Sequence, residues 1–373
     1  MTVRQLQRQK NFMGKFTNVY PAFTKLRPVT LTCSVAFLIF MEFFMMKKTA
    51  IALGIAAMAF GAQAADWMVA PDHKLEVNAD VGAYYQTTKS STGLASSTIL
   101  GAGINQIQLK STKTLANGVK IIGQVELDYD PLQDNYPAWT DDTKVGVDIP
   151  VYGRFLAGQW DTFFEDNVAE ALGFWGIGDI AAFVDEPVST FDSKHLQYFN
   201  TYSDFTLALD ATYGYSDTTL TTPMVGLATT VGYKLGDLQI YVGSATAPSY
   251  YANANGSKTG SGYGTSTHTN SSGVSAYYTM GNTKFSGLVH QVQLLNGAIY
   301  NYGGFAVQQT IDAWKLGFSF QNANLGSTNQ YSQYAVGANY SLAKDAVIFL
   351  EANSLGKSSG SGDTVEFGMK YTF

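Results

Sequence analysis

The chain of 373 residues carries 23 Lys and Arg against 29 Asp and Glu, a formal charge of −6, and only 14% of it is charged. With 37 Gly, 23 Tyr and 23 Phe it is too rich in glycine and aromatics, and too sparsely charged, for an ordinary soluble enzyme. Mean hydropathy is −0.03, and after residue 65 no apolar run reaches the ~18 residues of a membrane helix, so a membrane-crossing version of this chain crosses with strands.

Two apolar runs open the chain. Residues 1–45 hold Arg4, Arg8, Lys10, Lys15, Lys25 and Arg27, then an apolar run from Val29 to Met45. The basic start Met46-Lys-Lys-Thr-Ala50, the apolar stretch Ala50 to Phe60 and the small-x-small end Ala62-Gln-Ala64 form a secretory signal, so 46–64 is expected to be a signal peptide. A complete signal this far inside a chain is hard to use. Residues 1–45 are therefore expected to be an untranslated leader or non-native extension, with translation starting at Met45 or Met46; the other reading is a signal anchor. The Met41-Glu42 codons necessarily contain GGA, a ribosome-binding core, which supports the leader. Cleavage after Ala64 removes eight Lys and Arg and one Asp or Glu, which leaves 15 basic and 28 acidic residues, a net charge of −13. Nucleic acid is thereby excluded as a partner and cations are favoured. The single cysteine, Cys33, lies in the leader, so no disulfide framework supports residues 65–373.

From Lys74 onward, segments of about ten residues alternate polar and apolar side chains between turn residues, the repeated signature of a transmembrane barrel. Sixteen strands are predicted, over 74–86, 103–113, 119–129, 143–149, 154–161, 193–200, 205–215, 224–234, 238–246, 273–280, 285–294, 303–310, 314–321, 331–341, 346–354 and 364–373. In the third, Ile121, Val125 and Leu127 oppose Lys120, Gln124, Glu126 and Asp128; in the thirteenth, Trp314, Leu316, Phe318 and Phe320 oppose Lys315, Ser319 and Gln321. No charge breaks those apolar faces, as expected where a Lys or Arg in mid-bilayer costs about 2–4 kcal/mol. The eleventh, from Phe285 to Leu294, alternates poorly. Seven tight links, among them Ala116-Asn-Gly118 and Gly281-Asn-Thr283, alternate with eight longer ones. Short turns on one rim and long loops on the other describe an all-β, antiparallel transmembrane barrel over 65–373. The Gly/Ser-rich stretches at 253–273 and 356–362 fall where long loops are due, and are read as external loops rather than linkers.

The last strand places Val365, Phe367, Met369, Tyr371 and Phe373 on one face and Glu366, Gly368, Lys370 and Thr372 on the other. It resembles the C-terminal strand of bacterial outer-membrane barrels, which implies that Phe373, with Tyr371, is the assembly signal read by the barrel insertion machinery. Gly158-Gln-Trp-Asp-Thr-Phe-Phe164 opens the longest link, of 31 residues. This segment resembles the Gly-Arg-Gln-Asp-Thr-Pro-Phe type of segment that opens the third external loop of the Gram-negative general porin family. The resemblance implies an outer-membrane barrel in lipid and lipopolysaccharide, a third external loop folded into the pore, a homotrimer, and passive diffusion of small hydrophilic solutes and ions. It also implies that acidic loop residues face basic wall residues. The loop's candidates are Glu165, Asp166, Glu170, Asp179, Asp185 and Glu186, with Asp192 beyond them. On the wall they are Lys110, Lys120 and Arg154, with Glu126 and Asp128 also inward. Arg154 is the only arginine after the signal, so the family's arginine cluster is not reproduced. Seven loop carboxylates against three wall cations predict cation preference. The apolar runs Ala171 to Trp175 and Ile180 to Phe183 need packing partners, which argues against a loop lying in solvent.

No catalytic or cofactor motif stands out, so no enzyme, cofactor or metal is expected. His73, His195, His268 and His290 lie in no metal-binding or triad pattern. Gly260-Ser-Gly-Tyr-Gly264 has the wrong spacing for a dinucleotide site. The carboxylates Asp128, Asp130, Asp134, Asp141 and Asp142 lack the Gly and terminal Glu of a calcium loop. The alternative function is a substrate-specific channel, for example for sugars, stacking on Trp139, Trp160, Trp175, Tyr84, Tyr241 or Tyr277. A third reading is an adhesive barrel.

Overall fold

The computed structural model describes residues 65–89, 96–101, 105–129, 138–173, 176, 194–214, 224–246, 268–294, 297–326, 328–355 and 363–372. The expected signal peptide and leader, Phe373, Asp179, Asp185 and Glu186 fall outside these residues. Eighteen strands run along the chain: β1 (Ala65–Ala70), β2 (His73–Lys89), β3 (Ser96–Gly101), β4 (Gln106–Thr114), β5 (Lys120–Tyr129), β6 (Ala138–Ile149), β7 (Gly153–Gln159), β8 (Lys194–Tyr202), β9 (Phe205–Gly214), β10 (Met224–Leu235), β11 (Leu238–Thr246), β12 (His268–Met280), β13 (Thr283–Leu294), β14 (Ile299–Ile311), β15 (Trp314–Leu325), β16 (Thr328–Ala343), β17 (Ala346–Leu355) and β18 (Thr364–Thr372).

They make sixteen staves. β3 and β4 pair in succession with one edge of β2, from Lys89↔Ser96 to Tyr84↔Gly101 and then from Asp80↔Gln106 to His73↔Lys113, so together they form one interrupted stave. On the other edge of β2, β18 pairs up to Thr372↔Asp80 and β1 takes over at Ala65↔Val77. Every other neighbour is the next strand in sequence, antiparallel, and β18 on β2 closes the barrel. Closure satisfies each stave's backbone groups without an open edge, which lipid demands.

The alternation orients each stave. Ile107, Ile121, Leu127, Val145, Phe155, Leu227, Val242, Val289, Phe305, Val336, Leu350 and Val365 are all at least 38% exposed. So long a belt of bare apolar side chains is ruinous in water and normal against lipid. Polar residues between them are buried on the inner side, among them Glu126, Asp210, Thr230, Ser275, Ser319 and Glu366. At the short-turn rim, Gly118, Gly236 and Gly281 adopt φ of 81°, 60° and 57°, the left-handed conformation that tight hairpins require.

Two differences from the sequence expectation, and the poor alternation of β13, have physical causes. β1 and β3 are six residues each, too short for alternation to register. β15 and β16 extend to Leu325 and Thr328, which reduces an expected long link to residues 326 and 327, with Gly326 at φ 59°. In the added part of β15 the outer face turns polar at Asn322 and Asn324 while Ala323 is buried inside, so no apolar outer face marked it; Asn322 Nδ2 donates to Ser332 Oγ at 2.9 Å. The poor alternation of β13 arises because Leu288 and Val292, 3% and 0% exposed, point inward beside Ser286 and His290.

Candidate functional site

The apolar inner face of β13 has an occupant. Near the end of β7, Gly158 lies so close to β6 that a Cβ would come 1.7 Å from Thr143 O; beyond Gln159 the chain turns into the barrel and buries Trp160 and Thr162. A π-helical turn follows at Glu165–Ala169, with Glu165 N donating to Thr162 Oγ1 at 3.3 Å and Glu170 N to Glu165 O at 3.0 Å. The turn aligns Phe164, Val168 and Leu172 on one face, each no more than 2% exposed. They pack with Ala228, Ala245, Leu288, Ala306 and Ala335 on the inner wall.

Glycines deepen that track. A Cβ on Gly243 would sit 2.7 Å from Phe164, on Gly273 2.9 Å from Val168, and on Gly304 2.5 Å from Leu172. Burial of each such side chain contributes roughly 1.5–3 kcal/mol. Polar pins add direction: Ser275 Oγ and Tyr277 OH donate to Asn167 O at 2.5 and 3.2 Å, and buried Asp210 accepts from the Phe163 backbone N–H and, at 2.7 Å, from Gln197 Nε2. The loop after β7, third on the long-loop rim, is thus folded into the pore.

The opposite face of the turn looks into the lumen. Asp166 and Phe163 line a cavity with Lys110, Lys144 and Arg154 from the wall. Each of these cations has a carboxylate partner: Lys110 with Glu76 at 3.8 Å, Lys144 with Asp142 at 2.6 Å, and Arg154 with Asp148 at 3.5 Å. Lys144 Nζ also lies 5.5 Å from the centroid of the Trp160 ring. The protein crowded around Asp166 pushes its carboxyl up to about 6; Lys144 opposes that rise and Asp142 adds to it.

The expected site residues are distributed unevenly. Asp166, Lys110 and Arg154 meet at this cavity, Glu170 is half-buried, and Glu165 is buried, away from the lumen. Lys120 is exposed two residues past Gly118, at the turn rim and outside the cavity lining. Glu126 is buried and accepts the Gln106 and Gln108 amides, with Asp128 two residues on along the same face. Tyr371 pairs with Val81 at the closing seam, where Lys370 Nζ is 2.6 Å from Asp80. Lys144 escaped the sequence reading, although the alternation of Lys144, Gly146 and Asp148 against Val145, Val147 and Ile149 places it inward. Trp160 borders the cavity but is packed, at 3% exposure. Among the described residues, no group of three or more His, Cys, Asp or Glu is placed to hold a metal ion.

A closed sixteen-stave barrel, apolar outside and narrowed by an inserted loop, defines an outer-membrane channel. Residues 49–360 match the Gram-negative porin family, and the chain belongs to it. The barrel is similar to an anion-selective porin from Comamonas acidovorans, with a TM-score of 0.62 and 14% identity over 81% of this chain and 100% of that one. A triple mutant of the Rhodopseudomonas blastica porin gives 0.59 and 13% over 80% and 100%. The trimer form of OmpT, an outer membrane protein of Vibrio cholerae, gives 0.58 and 16% over 81% and 99%. These identities establish the shared fold alone. No curated protein sequence is significantly similar to this chain.

Proposed function

We propose that this porin is a water-filled channel for passive diffusion of small hydrophilic solutes and ions, that it prefers cations, and that it works as a homotrimer. One observation carries the preference: among the described residues that line the constriction and their ion-pair partners, Lys74, Lys110, Lys144 and Arg154 stand against Glu76, Asp142, Asp148, Asp161 and Asp166, so negative charge is in surplus and Asp166 on the loop is part of it. The field in a narrow, low-dielectric opening follows such a surplus and raises the local concentration of the opposite ion. The similarity to an anion-selective porin does not weigh against this, because the wall charges that set selectivity are not part of the fold. The trimer is supported by the similarity to OmpT in its trimer form.

On this reading residues 46–64 direct export, and Tyr371 and Phe373 engage the insertion machinery that places the barrel among outer-membrane lipid and lipopolysaccharide. Reversal potentials across a bilayer in a KCl gradient test the selectivity. The zero-current potential is expected to follow K+; a potential that follows Cl− overturns the reading.

A further inference from the structure

Below the inserted loop, towards the turn rim, a second cavity is lined by Asp166 from the loop, Gln239 and Tyr241 from β11, Tyr277 from β12 and Lys284 from β13. Its two tyrosine rings continue into Phe163 of the loop, which lines the first cavity, and the three form a corner. Phe163 and Tyr241 meet edge to face with centroids 5.9 Å apart, and Tyr241 and Tyr277 do so at 6.0 Å. All three side chains are half-buried rather than enclosed. The Tyr241 ring is seated on Gly232, where a Cβ would come within 2.6 Å of it, so β10 supports the ring from behind.

Half-bare aromatic rings in an aqueous passage expose apolar surface that water solvates poorly, and a solute with an apolar face relieves that cost. The polar groups around the corner decide which solute. Asp166 accepts hydrogen bonds, Lys284 donates them, and Gln239 does both. A simple cation meets Lys284 there and a simple anion meets Asp166, whereas a neutral ring bearing many hydroxyls satisfies both and lays its C–H face on one of the two tyrosines, with the other standing nearly perpendicular beside it. We infer that this corner is a binding subsite for one ring of a neutral sugar, just beneath the constriction. The inference rests on the channel reading above and adds a solute class to it.

Current through single channels of the purified full chain, recorded in KCl with maltose added on the turn side, tests the subsite. Maltose is expected to reduce the current saturably, while sorbitol, which has hydroxyls but no ring face, gives no saturable block. Tyr241→Leu keeps apolar bulk over Gly232 and is expected to raise the half-blocking maltose concentration, read as the fraction of the variant's own open current, about fivefold or more. Tyr277→Phe keeps the ring while removing the hydroxyl and its bond to Asn167 O, and is expected to retain the block. If Tyr241→Leu yields no barrel, Gln239→Ala serves instead, with an expected weakening of about threefold. Absence of saturable maltose block, equal block by sorbitol, or an unchanged half-blocking concentration in the substituted channel overturns the subsite. A conducting, cation-preferring channel with any of those results overturns this inference alone; a barrel that does not conduct overturns the channel reading with it.

Discussion

Asp166 is one carboxylate among many in this chain, yet it is the described loop acid shared by both lumenal cavities. Asp166→Asn is expected to lower the K+ over Cl− permeability ratio, measured by reversal potential, while leaving the barrel folded. Its titration gives a second test. With the carboxyl raised to about 6, the charge is present at pH 7 and is lost as pH falls through that value. Cation preference is expected to decline between pH 7 and pH 5 in the natural channel and to stay flat in Asp166→Asn over that window. Sequence reasoning reached Asp166 through the segment that opens the loop, but it grouped Asp166 with Glu165, and the two point in opposite senses. The π-helical turn that separates them depends on Thr162, Phe164 and the wall together, which no local periodicity encodes.

At the scale of elements, the staves were legible and the loop's berth was not. Alternation at period two reports which face meets lipid, because that face must be uniformly apolar. The inner face carries no such uniformity. Where Leu288 and Val292 turn inward, the pattern of β13 dissolves, and from sequence this looks like a weak strand. Leu288 is in fact half of a contact whose other half, Phe164, Val168 and Leu172, lies more than a hundred residues earlier, while Val292 packs with Tyr302 and Ala323 of the neighbouring staves. Alanines and glycines of the track were equally silent, since smallness matters only once a partner is known. Leu172→Ala is expected to cost about 2–5 kcal/mol of docking free energy. Single-channel records should then show larger and noisier open currents, with the barrel's resistance to heat and detergent unchanged.

For the whole molecule, the seam between first and last staves is a point of closure with its own chemistry. Asp80 receives Lys370 Nζ and Thr372 Oγ1, both at 2.6 Å, across a junction that joins residues nearly three hundred apart. Lys370→Met leaves Asp80 half-buried without its cation and is expected to lower the temperature at which the barrel opens in detergent, followed by gel mobility. Adding Asp80→Asn is expected to restore part of the loss.

The inserted loop leaves the chain after β7, but its berth is built by β10 to β16. A growing or inserting barrel therefore has its plug before it has the seat for it, and the loop has nowhere to rest until more than half the staves have been laid side by side. The narrow opening is consequently a late product of closure: an unfinished barrel would be a wide, unregulated hole, and the final diameter is fixed only when the last distant walls arrive.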